Sequence, residues 1–137
     1  MNKKIEVING PFSEEEVYLI LKQYPKRKRD LEFYLEANYF QIHKLYYQHF
    51  FLGYVVLFLG YNSIETNDVM IEDICFLSNP ELLNPLMSYL LKAVKAKSII
   101  SFPIDQLYYN RMNVDPIYLP IFESLDIKLD GEPKCRA

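Results

Sequence analysis

An apolar strand–helix–strand unit in the second half of the chain is the feature that most constrains the fold. Residues 69–77 are apolar apart from Glu72 and Asp73, which is typical of a buried strand. Residues 80–96 place leucines at helical spacing, and residues 98–102 form a second short apolar run. A strand, a helix and a strand in this order predict a right-handed crossover between two parallel strands.

Before this unit the sequence predicts a short strand followed by two helices. Residues 3–8 are predicted as the strand, which a Gly-Pro pair ends. Ser13 and Glu16 form a capping box that begins the first helix, and Pro25 ends that helix. The second helix is predicted over residues 28–37. The predicted inward positions are Val17, Ile20, Leu21 and Tyr24 in the first helix, and Leu31, Tyr34 and Leu35 in the second.

A period of two replaces the helical spacing after the second helix. This alternation predicts an antiparallel hairpin over residues 40–59, with Gln48 and His49 at its turn. Residues 54–59 are almost wholly apolar, so the second strand of the hairpin should be central in its sheet.

The remaining elements complete a mixed domain. Residues 108–125 are predicted to be partly helical because two prolines interrupt them, and residues 126–129 are predicted as a last short strand. The full order is β-α-α-β-β-β-α-β-α-β, which predicts a single α+β domain over residues 1–137. We expect a central mixed, mostly antiparallel sheet flanked by helices. Residues 130–137 are expected to fray.

Charge and composition exclude several classes of protein. The net charge of −3 provides no field that would draw nucleic acid. The one basic cluster, residues 26–29, is predicted to be a solvated loop, with a phosphate or nucleic-acid contact as the alternative. No apolar run approaches the roughly 18 residues of a membrane span, and the N-terminus lacks the apolar region of a signal peptide. We therefore expect a cytoplasmic protein without membrane association.

Cysteines and histidines do not suggest a metal site or a disulfide framework. Cys75 lies in a predicted strand, where it is expected to be a small buried hydrophobe, and Cys135 lies in the polar tail. His43 and His49 are not spaced with cysteines or carboxylates as metal ligands would be. No metal is expected.

Three stretches, in this order of elements, resemble the GNAT N-acetyltransferase superfamily. Residues 39–56 look like the hairpin that ends in a Gly-aromatic strand, and residues 71–77 look like the strand whose backbone pairs with the pantetheine arm of coenzyme A. Residues 121–129 look like the terminal segment of the superfamily. The resemblance implies binding of acetyl-CoA or another acyl-CoA between the strands at residues 71–77 and 98–102.

The resemblance also implies which residues contact the cofactor. Backbone amides near Cys75 and Phe76 would polarise the thioester carbonyl, as an oxyanion hole does. The predicted cofactor-binding residues are Ile74, Cys75, Phe76, Leu77, Leu83 and Asn84.

Two departures from the superfamily pattern bear on activity. The turn of residues 78–85 contains no glycine, arginine or lysine, whereas the superfamily holds the CoA pyrophosphate on a glycine-rich turn at a helix N-terminus. Pro85 also removes an amide donor. Phe122 stands where the terminal segment commonly has a tyrosine that protonates the leaving thiolate.

Candidate catalytic residues follow from the resemblance. Glu72 is our first choice for the base that deprotonates the amine, with Asp73 second, and a structural hydrogen-bonded carboxylate is the alternative for either. Strand alternation predicts that Asp73 shares a face with Ile71, Cys75 and Leu77, while Glu72 faces the other side. Tyr118 and Tyr109, together with Tyr108, are candidates to replace the missing acid.

Two functions remain open on these grounds. The first is an acyl-CoA-dependent N-acyltransferase that acts on a primary amine of a small molecule or a protein. The second is a non-catalytic interaction or regulatory module on the same fold, with a protein partner or a second copy of the chain. The 12 tyrosines and the two departures favour the second function. Nucleic-acid binding through residues 26–29 is the third and least favoured function.

Overall fold

A mixed sheet of six strands, in the order β1-β2-β3-β4-β5-β6, organises the fold. The computed structural model describes residues 5–36, 40–58, 68–77, 92, 106–110 and 116–130. The first four strands pair antiparallel, and the pairs β4–β5 and β5–β6 are parallel. The predicted mostly antiparallel sheet is therefore confirmed. The strands are β1 (Ile5–Asn9), β2 (Phe40–Tyr47), β3 (Phe50–Phe58), β4 (Asp68–Phe76), β5 (Gln106–Asn110) and β6 (Lys128–Asp130).

Three α-helices lie wholly within the described residues. They are α1 (Glu14–Gln23), α2 (Lys28–Glu36) and α3 (Leu119–Ser124). The predicted capping box begins α1: the Ser13 amide donates to Glu16 Oε1 at 2.8 Å, and the Glu16 amide donates to Ser13 Oγ at 3.1 Å.

The sheet separates two apolar clusters, because neighbouring side chains of β3 point to opposite faces. Residues 54–57 of β3 are fully buried, which confirms that this strand is central. The α1–α2 face carries Phe12, Ile20, Leu31, Tyr34, Ile42, Phe51, Tyr54, Val56 and Cys75. The α3 face carries Leu45, Val55, Leu57, Val69, Ile71, Ile74, Phe76, Leu107, Tyr109, Tyr118, Ile121, Phe122 and Ile127.

The hairpin turn lies at the predicted residues. Gln48 and His49 join β2 to β3 with φ angles of 49° and 76°. Two consecutive left-handed residues are the geometry of a type I′ turn, whose twist matches that of the flanking strands. The predicted hairpin is therefore confirmed.

The parallel partner of β4 differs from the prediction. That partner is β5, residues Gln106–Asn110, where no strand was predicted. The prediction that residues 108–125 are partly helical is confirmed for residues 116–124, whereas residues 108–110 belong to the strand. Burial alternates along residues 106–110 as in a strand: Leu107 and Tyr109 are buried, while the residues around them are partly exposed. The predicted helix over residues 80–96 and the predicted strand over residues 98–102 lie outside the described residues, apart from Lys92, which is helical.

Two smaller predictions also change. Leu35 was predicted to face inward but is 46% exposed, because the sheet-facing side of α2 is centred on Leu31 and Tyr34. The last strand is Lys128–Asp130. It begins two residues later than predicted.

Gly53 is required where β3 crosses close to β4. A Cβ atom at this position would lie 2.4 Å from the Cys75 carbonyl oxygen and 2.9 Å from the Phe76 ring. The register skips Leu52 beside it, since Leu45 faces Gly53 and Tyr46 faces Phe51. The close approach of the two backbones is therefore possible only without a side chain.

Replacing Gly53 by alanine should destabilise the protein by about 2 kcal/mol or more, because the added methyl group forces β3 away from β4. Gly10→Ala is the matched control: its φ of 156° is close to the 159° of Gly53, but nothing lies within 4 Å of its Cβ position. Urea unfolding of both variants measures the difference. Equal destabilisation would contradict the steric explanation.

A buried histidine should make stability depend on pH. His43 is fully buried in β2, and its Nε2 lies 2.8 Å from Gln41 Oε1. Burial lowers its pKa to about 4 from an ordinary value of 6.5. The unfolded chain therefore binds a proton near pH 6.5 that the folded protein does not accept until about pH 4. Stability should fall as the pH falls through this window, by at most about 3 kcal/mol.

Urea unfolding at pH 7 and pH 5 tests this expectation. His43→Gln should remove much of the loss between the two values, whereas His49→Gln, at an exposed turn position, should keep it. A wild-type stability that does not change between pH 7 and pH 5 would contradict the assignment.

Candidate functional site

The described pairs of the parallel ladder between β4 and β5 run from Asp68 opposite Gln106 to Ile71 opposite Tyr109. β4 continues to Phe76 and still pairs with β3 there. We call the other edge of β4 over residues 72–76, opposite which none of the described residues forms a strand, the fork.

A β-bulge lies where the fork begins. Ile71 faces Leu57 and Asp73 faces Val56, so Glu72 has no partner in the register with β3. A bulge inserts one residue and reverses the alternation of side chains beyond it. Ile71 accordingly packs with Ile74 and Phe76 on the α3 face. The prediction that Ile71 shares a face with Asp73 was wrong, because it assumed an uninterrupted period of two.

The bulge residue Glu72 contacts the end of β5. Asn110 Nδ2 lies 3.3 Å from Glu72 Oε1 and 3.4 Å from Glu72 Oε2. Leu107 and Tyr109 belong to the cluster on the α3 face, so alternation places Asn110 on the α1–α2 face. The Glu72 side chain is half-buried. A carboxylate and an amide thus meet at the start of the fork.

Asp73 has a very different environment from its neighbour. It is 1% exposed, and Arg27 Nη1 lies 2.6 Å from both of its carboxylate oxygens. The hydroxyl groups of Tyr34 and Tyr54 each donate to Asp73 Oδ2 at 3.2 Å. Burial raises the pKa of Asp73, and Arg27 and the two hydroxyl groups oppose that rise. A carboxylate with this many donors is engaged in holding the fold.

The ion pair joins the α1–α2 connection to the bulge. Arg27 lies in the turn between the two helices, and its side chain is 24% exposed while that of Asp73 is 2% exposed. The Tyr24 hydroxyl donates to the Phe76 carbonyl oxygen at 3.1 Å, which fixes the end of α1 beside the fork. The prediction that residues 26–29 form a solvated loop was wrong for Arg27.

The backbone of β4 presents amides to the fork. The Leu77 amide donates to the Leu52 carbonyl oxygen at 2.8 Å and therefore points toward β3. Since amides alternate between the two edges of a strand, those of Ile74 and Phe76 point toward the fork and that of Cys75 points toward β3. Burial raises the pKa of Cys75 to about 12, so its thiol is not a nucleophile at neutral pH.

Two of the three candidate tyrosines, Tyr109 and Tyr118, lie on the α3 face, whereas Tyr108 alternates with Tyr109 in β5 and faces the other side. The ring of Tyr109 packs against Phe122 with 4.6 Å between ring centres, beside the ladder. The ring of Tyr118 lies 6.4 Å from Phe76, next to the fork, and 6.4 Å from Phe122. Of the two, Tyr118 is nearer to the open half of β4. The predicted cofactor residues Leu83 and Asn84 lie outside the described residues.

Asn110 and Arg27 are the residues that sequence reasoning missed. Asn110 carries a weak signal, because a polar residue ends the alternating run of β5. Arg27 carries none, since a basic cluster after a proline is usually solvated.

The described residues contain no group of three or more histidine, cysteine, aspartate or glutamate side chains that could hold a metal ion. None of the helices in this part of the chain is both long enough and apolar enough to cross a bilayer.

Several solved structures are similar to this chain in fold. The aminoglycoside N-acetyltransferase AAC(6')-Iy in complex with CoA is 12% identical, with 96% of this chain and 93% of that chain covered and a TM-score of 0.58. A ribosomal-protein-alanine N-acetyltransferase from Brucella melitensis biovar Abortus 2308 is 11% identical, with 94% and 96% covered and a TM-score of 0.59. This chain has the GNAT acetyltransferase fold.

A third similar structure is an aminoglycoside acetyltransferase from an uncultured soil metagenomic sample, at 12% identity, with 93% of this chain and 91% of that chain covered and a TM-score of 0.59. The resemblance to the GNAT superfamily and the α+β fold class are confirmed. Identities this low establish the fold and leave the activity to be argued from the site. No protein-family model matches the chain, and no curated protein matches it significantly.

Breaking the ion pair should destabilise the GNAT-like fold strongly. Arg27→Ala leaves the Asp73 carboxylate buried without its cation, which typically costs about 3–5 kcal/mol. Arg27→Ala combined with Asp73→Asn should recover part of this loss, because the neutral amide needs no counter-charge. Urea unfolding of the single and double variants measures the coupling, with Lys26→Ala as the exposed control. Additive losses in the double variant would contradict the pairing.

Proposed function

We propose that this protein is an acyl-CoA-dependent N-acyltransferase that acetylates a primary amine. The observation that carries the proposal is the fork, which opens beside β4 at the bulge residue Glu72. Support comes from the GNAT fold and from a neighbour, AAC(6')-Iy, whose structure was solved in complex with CoA.

The backbone N–H donors at the fork are suited to binding an acyl-pantetheine chain. The amides of Ile74 and Phe76 point into it, and one strand edge of β4 can pair with the amide groups of an extended ligand, as strands pair with peptides. Acyl-CoA supplies the activated thioester when bound. One of the two amides then donates a hydrogen bond to the carbonyl oxygen as negative charge develops there.

The reaction needs two proton transfers, and different groups at the fork carry them out. Glu72 accepts a proton from the acceptor amine as its nitrogen forms the new bond to the acyl carbon. The carbon–sulfur bond breaks, and the leaving thiolate takes a proton from the Tyr118 hydroxyl or from water. Asp73 is unsuited to the base role because Arg27 and two hydroxyl groups already engage its oxygens. Tyr109 is the weaker candidate for the acid because its ring packs beside the ladder.

The acceptor class remains a primary amine of a small molecule or a protein. One neighbour was solved with sisomicin, and another is a ribosomal-protein-alanine acetyltransferase. We therefore choose sisomicin and an alanine-terminated peptide as the acceptor probes.

A second candidate is a non-catalytic interaction module on the GNAT fold. It is favoured by Phe122, which is fully buried and has no proton to donate where the superfamily commonly has a tyrosine. The turn without glycine, arginine or lysine at residues 78–85 favours it too.

Acetyl-CoA binding separates the two functions. Ligand far above its dissociation constant should stabilise the protein by about 2–4 kcal/mol, seen as a rise in Tm. Glu72→Gln should still bind acetyl-CoA. It should lower kcat by about 10²–10⁴-fold with whichever acceptor probe the wild type acetylates, since it removes a general base. Glu32→Gln, at an exposed position of α2, is the matched control and should not change the rate.

An unchanged Tm at millimolar acetyl-CoA would exclude the acyltransferase and leave the interaction module. A Glu72→Gln variant as active as the wild type would refute the role of Glu72 as the base.

A further inference from the structure

We infer that Asn110 is a positioning residue that holds the carboxylate of Glu72 at the mouth of the fork. This inference rests on the proposed function. The contact joins the two strands one position after the last described pair of their ladder, Ile71 opposite Tyr109. Glu72 follows Ile71, and Asn110 follows Tyr109.

The bulge sets Glu72 apart from the other residues of β4. Its register position faces no residue of β3. The next residue, Asp73, is held by Arg27 and two tyrosines. The backbone of the bulge is therefore anchored on one side, and the Asn110 amide is positioned to orient the carboxylate on the other.

An amide suits this role chemically. Its N–H groups donate to the ionised carboxylate without adding a positive charge, whereas a lysine or arginine at this position would add one. The distances of 3.3 and 3.4 Å to the two oxygens are at the long end for hydrogen bonds. Catalytic hydrogen bonds are often long without substrate and shorten when it binds.

The face of the sheet on which Asn110 lies indicates the side from which an amine reaches Glu72. Asn110 lies on the α1–α2 face because its neighbours Leu107 and Tyr109 are buried on the other. The oriented carboxylate is thereby presented to an amine that arrives from the side of α1 and α2, opposite the ring of Tyr118.

Three variants of the full chain test the role of Asn110. Asn110→Ala should lower kcat about tenfold or more with little change in KM, because an unpositioned base acts in the transition state and not in binding. Asn110→Asp, which has the same shape, should move the acidic limb of the kcat/KM profile to higher pH because two carboxylates then repel each other. Gln106→Ala is the control: Gln106 lies on the same strand and face, but bonds the Leu107 and Asp126 carbonyl oxygens.

A readout that does not need activity accompanies the kinetics. The side-chain carboxyl of Glu72, assigned by comparison with Glu72→Gln, is titrated by carbon-13 NMR in wild type, Asn110→Asp and Gln106→Ala. We expect its titration midpoint to rise in Asn110→Asp and to stay unchanged in Gln106→Ala.

The outcomes are distinguishable. An unchanged NMR midpoint in Asn110→Asp would overturn the contact itself. A raised midpoint together with a normal kcat in Asn110→Ala would overturn the positioning role. Absence of acetyl transfer by the wild type to either acceptor probe would overturn the proposed function and with it the catalytic role, even with the NMR midpoint raised.

Discussion

The structure depends on the pairing of β4, which among the described residues is bonded to β3 from Met70 to Phe76 and to β5 from Asp68 to Ile71. Backbone donors need a partner when they are buried, and those of Ile74 and Phe76 point to the edge of β4 that faces away from β3. The bulge at Glu72 directly follows Ile71 and increases the local twist that separates two neighbouring strands. Glycine at position 53 lets β3 follow β4 past this distortion.

Two adjacent carboxylates then serve different purposes because the bulge gives them different surroundings. Asp73 is buried and saturated by Arg27, Tyr34 and Tyr54, so its charge stabilises the link from the α1–α2 turn to the centre of the sheet. Glu72 is half-buried, and the Asn110 amide nitrogen lies 3.3 and 3.4 Å from its two carboxylate oxygens.

Most of the fold was predictable from local patterns, and the errors have specific physical causes. The capping box at Ser13, the hairpin turn at Gln48 and the central position of β3 follow from short-range rules that tertiary contacts do not override here. The face of Ile71 was mispredicted because a bulge leaves no mark in an apolar run. Arg27 was mispredicted because its partner Asp73 lies 46 residues away, and a basic cluster gives no sign of such pairing.

This chain keeps the fold of GNAT acetyltransferases to which it is only 11–12% identical, because the features that build the fold are retained and the altered features lie elsewhere. The fork is built from backbone pairing and apolar packing, which many sequences satisfy. A phosphate-binding turn needs glycine and cations at fixed positions, and residues 78–85 have neither. If the fork binds acyl-CoA, the backbone amides of Ile74 and Phe76 must therefore supply a larger share of the binding free energy than they would in a protein that also has a glycine-rich turn.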